Sequence, residues 1–378
     1  MDTIAAVTLL PLRPLRIVLP GGSGQVGQAL ARHFTERGHQ VTVLTRGPYT
    51  APWLAVHWDG ENPGPWTEYL EGADVCINLA GRSVNCRYNA ANRQAIYDSR
   101  IRSTRLLGRV IAGLSEPPRL WMNASAATIY RRVLDETGVD LPLDEAAELN
   151  EAARVEDGDG QASSDSEEPA AGAEARAGSA GFMRGVKPSP PSGSSDSEGW
   201  RQRRGFSARV ARDWEAAFFA AQTPLTRKVA LRSAVVLSST PGSAFAVLSH
   251  LVRLSLGGKQ GSGRQFVSWI HEADYARAVE FLISREDLEG PINLAAPQPL
   301  ANREFMAALR EAWDVPNGLP APTVAIQLGA FFLRTEPELV LQSCRAVPGR
   351  LLEAGFNFEF PEWPEAAEDL VRRWKSRE

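Results

Sequence analysis

The stretch "PGGSGQVG", residues 20–27, places Gly21, Gly24 and Gly27 three residues apart. That spacing suits the binding of a nucleotide pyrophosphate. The first glycine makes a tight turn, the second lets the backbone approach a phosphate, and the third lets a helix pack closely on a strand. Gln25 and Val26 fall between the second and third glycines, at the start of the following helix. Free N–H groups and the positive end of the helix dipole meet an anion there. A glycine triad alone also serves as a plain turn. Here "RIVL" runs into it as a strand and "QALARHFTERGH" runs out as a helix, which is the context a cradle requires.

Arg46 follows "QVTVLT" at the end of the second strand. A carboxylate at that place would bind a ribose 2′-hydroxyl, whereas an arginine suits a 2′-phosphate. This favours NADP(H), with a solvated surface arginine as the competing reading. Asp59 either reaches the adenine amino group or starts the turn in "WDGENPG". Leu79, Ala80 and Gly81, from "NLAG", close the fourth strand and are expected beside the nucleotide.

The candidates for proton chemistry come later. Ser125 ends the fifth strand, and Tyr130 follows five residues on with Arg131 and Arg132 beside it to favour a phenolate. The opposing reading makes Ser125 a loop hydroxyl and Tyr130 a packing residue. Arg232 closes the sixth strand and either meets a substrate anion or pairs with an acid. His271, in "WIHEAD", is either a ligand contact or a structural residue ahead of a helix whose simplest N-cap is Asp274. Arg100, in "SRIRSTR", either touches substrate or cofactor or lies on a surface helix face.

Strands alternating with helices must position these residues. Apolar runs predict strands at 16–20, 41–45, 53–58, 73–81 and 119–125, a sixth in "RKVALRSAVVLS" and a late one at 290–297. A helix is predicted over about 25–37. A longer one should bury Ile96, Ile101, Leu106, Leu107 and Ile111 along one face. This alternation means βαβ units and a doubly wound parallel sheet, an α/β fold. From about 150 to 204 the composition shifts to Ala, Ser, Gly, Glu and Asp. Such a tract buries too little apolar area to offset its ordering entropy. The expected organisation is an N-terminal extension (1–15) and a nucleotide-binding domain (16–149 with 205–237) interrupted by a disordered insertion (150–204). A mixed cleft and last-strand region (238–300) and a small, mostly helical C-terminal domain (301–370) follow.

The bulk numbers agree with a globular enzyme-sized chain. It has 378 residues, 43% hydrophobic, with a net charge of -4, which gives no reason to expect nucleic-acid binding. The three cysteines, Cys76, Cys86 and Cys344, form no CxxC pair and suggest no metal site. Their sparse, odd count suits a reducing compartment, with the cytoplasm as the expected location. No apolar run reaches membrane-spanning length.

Taken in order, "PGGSGQVG", "INLAG", "SRIRSTRLL", "NASAATIY", "GSGRQFVSWIHEAD" and "RLLEAGFNFEFPEW" resemble the extended short-chain dehydrogenase/reductases. More narrowly, they resemble the epimerase-like branch, the NAD-dependent epimerase/dehydratase family, with a small C-terminal domain of its own. The resemblance implies a Rossmann sheet of about seven strands. It also implies a smaller lobe closing a cleft over a small-molecule substrate.

The broader superfamily works through a tyrosine four residues before a lysine, aided by a serine that bonds the substrate oxygen. Ser125 matches that serine. None of the six tyrosines here has a lysine four residues on, and lysine occurs only at 187, 228, 259 and 375. Where the pair is expected, "FSARVARDWE" offers Phe206 and Val210, neither of which moves a proton. Two readings follow. One is an NADP(H)-dependent oxidoreductase or epimerase-like enzyme acting on a small carbonyl, alcohol or nucleotide-sugar-like substrate, with Tyr130 or a water on Ser125 handling the proton. The other is a non-catalytic NADP(H)-binding sensor.

Overall fold

The computed structural model describes residues 13–147, 149, 205–326 and 341–377. The expected insertion at 150–204 and most of the expected 1–15 extension lie outside the described residues.

The first half alternates strictly. β1 (Arg16–Pro20) leads through the glycine turn into α1 (Gln25–Glu36), then β2 (Gln40–Thr45), β3 (Leu54–His57) and β4 (Val75–Asn78). α2 (Ala90–Ala112) and β5 (Leu120–Ala126) follow. α3 (Phe206–Phe219) precedes β6 (Arg227–Ser233) and the short β7 (Val235–Leu237). Next come α4 (Ala244–Arg253), β8 (Phe266–Val267), β9 (Trp269–His271), α5 (Glu272–Ser284), β10 (Gly290–Leu294), β11 (Leu300–Ala301) and α6 (Asn302–Ala312). The described chain closes with α7 (Gly349–Glu353) and α8 (Trp363–Lys375).

β3-β2-β1-β4-β5-β6-β10 form one seven-stranded sheet, and every pairing in it is parallel. All four residues of β4 are buried, as expected of a strand covered on both faces. One face packs on α1 and α5 through Phe34, Leu30, Tyr275 and Val279. The other packs on α2 and α3 through Leu106, Leu107, Ile111 and Phe218, with Trp121 among them. The five α2 residues predicted to share a buried face are all buried. The strand order reverses between β1 and β4. The crevice outside the carboxyl ends of those strands is where this fold binds ligands.

The run "RKVALRSAVVLS" divides rather than forming one strand. β6 stays in the main sheet, while β7 leaves it to pair with β9, residue Val235 against Trp269. β11 and β8 make a second small pair. These pairs and α4, α6 and α8 enclose a separate core in which Phe305 stacks on Trp363 at 4.1 Å. α5 begins at Glu272, and Asp274 is not its N-cap. The N-cap is His271, whose Nδ1 accepts the Ala273 N–H at 3.0 Å. Asp274 instead accepts the N–H groups of Glu359 and Phe360, both at 2.8 Å, and so holds the chain that enters α8. No described helix is long and apolar enough to cross a membrane.

Candidate functional site

The three glycines divide by physical cause. Gly21 has φ of 75°, and a Cβ there would lie 2.6 Å from the Ala80 Cα. The turn therefore presses directly against the segment after β4. A Cβ on Gly27 would lie 2.4 Å from the Gly22 Cα, so helix and turn touch backbone to backbone. Gly24 differs. Its φ is -73°, and the nearest atom to an added Cβ is the Gly21 carbonyl oxygen at 3.7 Å. Nothing among the described residues requires glycine there, whereas a phosphate approaching the backbone would. α1 has no side-chain cap and no acid in its first turn, so its N-terminal N–H groups meet no anion from their own turn. Gln25 Nε2 is buried with no hydrogen-bond partner among the described residues, and Val26 packs against the core below it.

Neighbouring segments lock the cradle. The Gly21 N–H donates to the Leu44 carbonyl, and the Leu79 N–H to that of Pro20, both at 2.8 Å. Thr45 Oγ1 donates to Ser23 Oγ at 3.1 Å. Arg46 is exposed immediately beyond, at the end of β2, with no ion-pair partner among the described residues. Asp59 takes the turn role. Its carboxylate accepts the N–H groups of Glu61 and Asn62 and the Asn62 side-chain amide, all at 2.8 Å, and these bonds lower its pKa to about 2. Ala80 is buried and Leu79 half-buried, and Gly81 opens to solvent. The Ala80 N–H donates to Asn78 Oδ1, while Asn78 Nδ2 donates to Asn123 and Thr104 in a buried network joining β4, β5 and α2. Trp214 of α3 completes it, its Nε1 donating to Thr104 at 2.8 Å.

The residues expected to carry proton chemistry meet in one buried chain of hydrogen bonds. Ser125 Oγ donates to Glu215 Oε1 at 2.6 Å. Arg232 holds the same carboxylate with two bonds, at 2.9 and 2.8 Å, and donates to the Tyr130 hydroxyl at 3.0 Å. Tyr130 donates in turn to Asn293 Oδ1 at 2.7 Å. The sheet register sets these partners, with Ser125 opposite Arg232 and Arg232 opposite Asn293.

This arrangement favours one of the two readings kept open for Arg232 and for Tyr130. Arg232 is paired with an acid, so it has no free charge for a substrate. Burial would lower its pKa, but its hydrogen bonds and charge pairing with Glu215 raise it instead. Tyr130 is sealed at 5% exposure. Burial, only partly offset by Arg232, raises its pKa to about 12, so the phenol keeps its proton at neutral pH. His271 takes the structural one of its two readings. It is fully buried, caps α5 and bonds Asp369 of α8 at 3.1 Å, so it ties two helices together.

At the place of the missing Tyr/Lys pair, Phe206 and Val210 join Tyr88 and Ile96 in an apolar cluster, with the Phe206 ring 5.2 Å from that of Tyr88. Sequence reasoning missed Glu215, Trp214 and Asn293. A signal for Glu215 was present. It stands four residues after Ala211 and three before Phe218, on the apolar stripe of α3, where an acid needs a buried partner. Among the described residues no group of three His, Cys, Asp or Glu side chains could hold a metal ion.

Residues 17–151 match the NAD dependent epimerase/dehydratase family, and residues 321–370 match a domain of unknown function, DUF1731. The chain is 30% identical over 344 residues to an epimerase family protein of Mycobacterium bovis, covering 90% of this chain and 93% of that one. It is 29% identical to the Bos taurus epimerase family protein SDR39U1 over 366 residues, covering 94% and 100% of the two chains. The crystal structure of human SDR39U1 (isoform 2) with NADPH superposes with a TM-score of 0.70 at 25% identity, covering 95% of this chain and 99% of that one. The seven-stranded sheet, the glycine turn at its switch point and these likenesses agree: the chain belongs to the NAD dependent epimerase/dehydratase family.

Proposed function

We propose that this protein is an NADP(H)-dependent oxidoreductase or epimerase-like enzyme acting on a small substrate in the crevice outside β1, β4 and β5. The observation that carries this reading is Gly24. The described residues leave room for a Cβ there, so packing does not require glycine, and a ligand held against the backbone accounts for it. The uncapped start of α1 and the exposed Arg46 supply the charge complement for a pyrophosphate and a 2′-phosphate. The human relative solved with NADPH supports the same choice of cofactor. Bound there, the nicotinamide would give or take hydride at a carbon bearing oxygen.

The residues of this chain then have defined tasks. Gly21, Gly24, Gln25, Val26 and Gly27 hold the pyrophosphate, and Leu79, Ala80 and Gly81 line the cradle's other wall. Ser125, next to last in β5, has its proton committed to Glu215, so its oxygen offers lone pairs. It holds a substrate hydroxyl, or a water, by accepting from it. Proton transfer then runs through that water rather than through Tyr130.

Calorimetric titration with NADPH, NADP, NADH and NAD tests the reading, repeated with Arg46→Asp. Tight binding of the phosphorylated pair, weakened about tenfold or more by the substitution, is the expected result. No dinucleotide binding at all would overturn it. A hydride-transfer screen over small carbonyl compounds and nucleotide sugars separates an enzyme from a protein that only binds the cofactor.

A further inference from the structure

Arg100 of α2 turns its guanidinium over the segment after β4. An added Cβ on Gly81 would lie 3.1 Å from the Arg100 Cζ. Nη1 donates to the carbonyls of Arg82 and Ile96 at 3.1 and 3.0 Å. The guanidinium also lies over the Trp214 ring, 5.1 Å from its centroid. Three elements therefore fix this cation. Successive residues after β4 face two different partners, since Ala80 meets Gly21 of the cradle and Gly81 meets Arg100. On the other side, Ala124, the residue before Ser125, packs against the cluster that contains Trp214.

The environment leaves the charge incomplete. Among the described residues no carboxylate pairs with Arg100, and its Nε and Nη2 have no hydrogen-bond partner. Arg232 makes the contrast, because Glu215 neutralises it with two bonds. Burial lowers the Arg100 pKa to about 10, opposed only by the Tyr88 phenol. The guanidinium is partly buried and held in place, and its two unpartnered N–H groups are open to solvent, so an oxyanion supplied by a ligand replaces water there and completes the charge. Two free N–H positions on a planar fork suit a carboxylate or a phosphate, each of which accepts two parallel bonds. The cofactor's pyrophosphate is already served by the glycine turn and α1.

We propose that Arg100 is the anion-recognition residue of the substrate site, so that the substrate carries a carboxylate or phosphate group. This rests on reading the crevice as a dinucleotide-dependent site.

The test titrates the NADPH-loaded protein with inorganic phosphate and with oxamate, following the Arg100 Nε–H resonance and the melting temperature at low salt. The same titrations run without NADPH, so a failure of the cofactor reading is seen separately. Arg100→Met keeps the apolar stem over Trp214 without the charge, and Arg100→Lys keeps the charge without the fork. The expected result is saturable binding of at least one anion, weakened about tenfold or more in Arg100→Met and less in Arg100→Lys, with NADPH affinity unchanged. A preference between oxamate and phosphate identifies which anion the substrate bears. Equal anion binding by wild type and Arg100→Met, or no saturation by either anion, would overturn the proposal. So would a parallel loss of NADPH affinity in Arg100→Met, which would place the arginine in the cofactor's own cradle.

Discussion

Gly24 and Gly27 are the same residue type three positions apart, yet they answer to different constraints. Gly27 is required by the fold, because its Cβ would strike Gly22 backbone at 2.4 Å. Gly27→Ala should therefore destabilise the protein by about 1–3 kcal/mol, read from urea unfolding. Gly24→Ala has room for its methyl group and an ordinary φ. Its melting temperature should equal that of wild type while NADPH affinity falls about tenfold. Equal effects of the two substitutions on stability would contradict this division. Tyr130 makes a similar point about phenols. Its hydroxyl is both donor to Asn293 and acceptor from Arg232. Tyr130→Phe should cost about 1–3 kcal/mol of stability through the two lost bonds, leaving any hydride-transfer rate per folded molecule unchanged. A fall in kcat of about a hundredfold with an altered pH profile would instead restore Tyr130 as the proton carrier.

At the scale of elements, buried polar groups join parts that apolar packing alone would leave free to shift. His271 and Asp369 link the start of α5 to α8, and Arg372 and Arg373 of α8 also reach Asp369. Burial would raise the Asp369 pKa, but the His271 hydrogen bond and the Arg373, His271 and Arg372 charges lower it overall. A carboxylate with a depressed native pKa stabilises the fold above its unfolded pKa. That contribution is lost as pH falls through the native value. Asp369→Asn should therefore lower the melting temperature at neutral pH, and the gap from wild type should close as pH falls from about 5 downward. A gap independent of pH would mean that the carboxylate's charge contributes nothing. The two-bond contact between Arg232 and Glu215 likewise fixes α3 against the sheet, and the same carboxylate accepts the Ser125 hydroxyl.

At the scale of the whole molecule, the sheet core excludes solvent so fully that it offers a reporter. Cys76 lies in β4 with no exposure, and burial raises its pKa well above the usual thiol value. Its thiolate is the reactive form. Cys76 should resist a disulfide-exchange reagent in the native protein and react only at the rate of global unfolding, measured by mass spectrometry of the labelled peptide. Rapid labelling of Cys76 under native conditions would show local opening of the central strands.

The strand–helix alternation of the first half, the glycine turn, and the absence of a Tyr/Lys pair were legible in the sequence. Each depends on local spacing, which hydrophobic period and backbone sterics read directly. The fates of Tyr130, Arg232 and His271 were not legible. Their partners Asn293, Glu215 and Asp369 lie 163, 17 and 98 residues away. Only the sheet register and the docking of α3 and α8 bring these groups within bonding distance. Both readings of each residue were compatible with its neighbours along the chain, and the tertiary structure chose between them by supplying or withholding a buried partner. Arg100 stands on the other side of the same rule, as a cation for which the described fold supplies no acid.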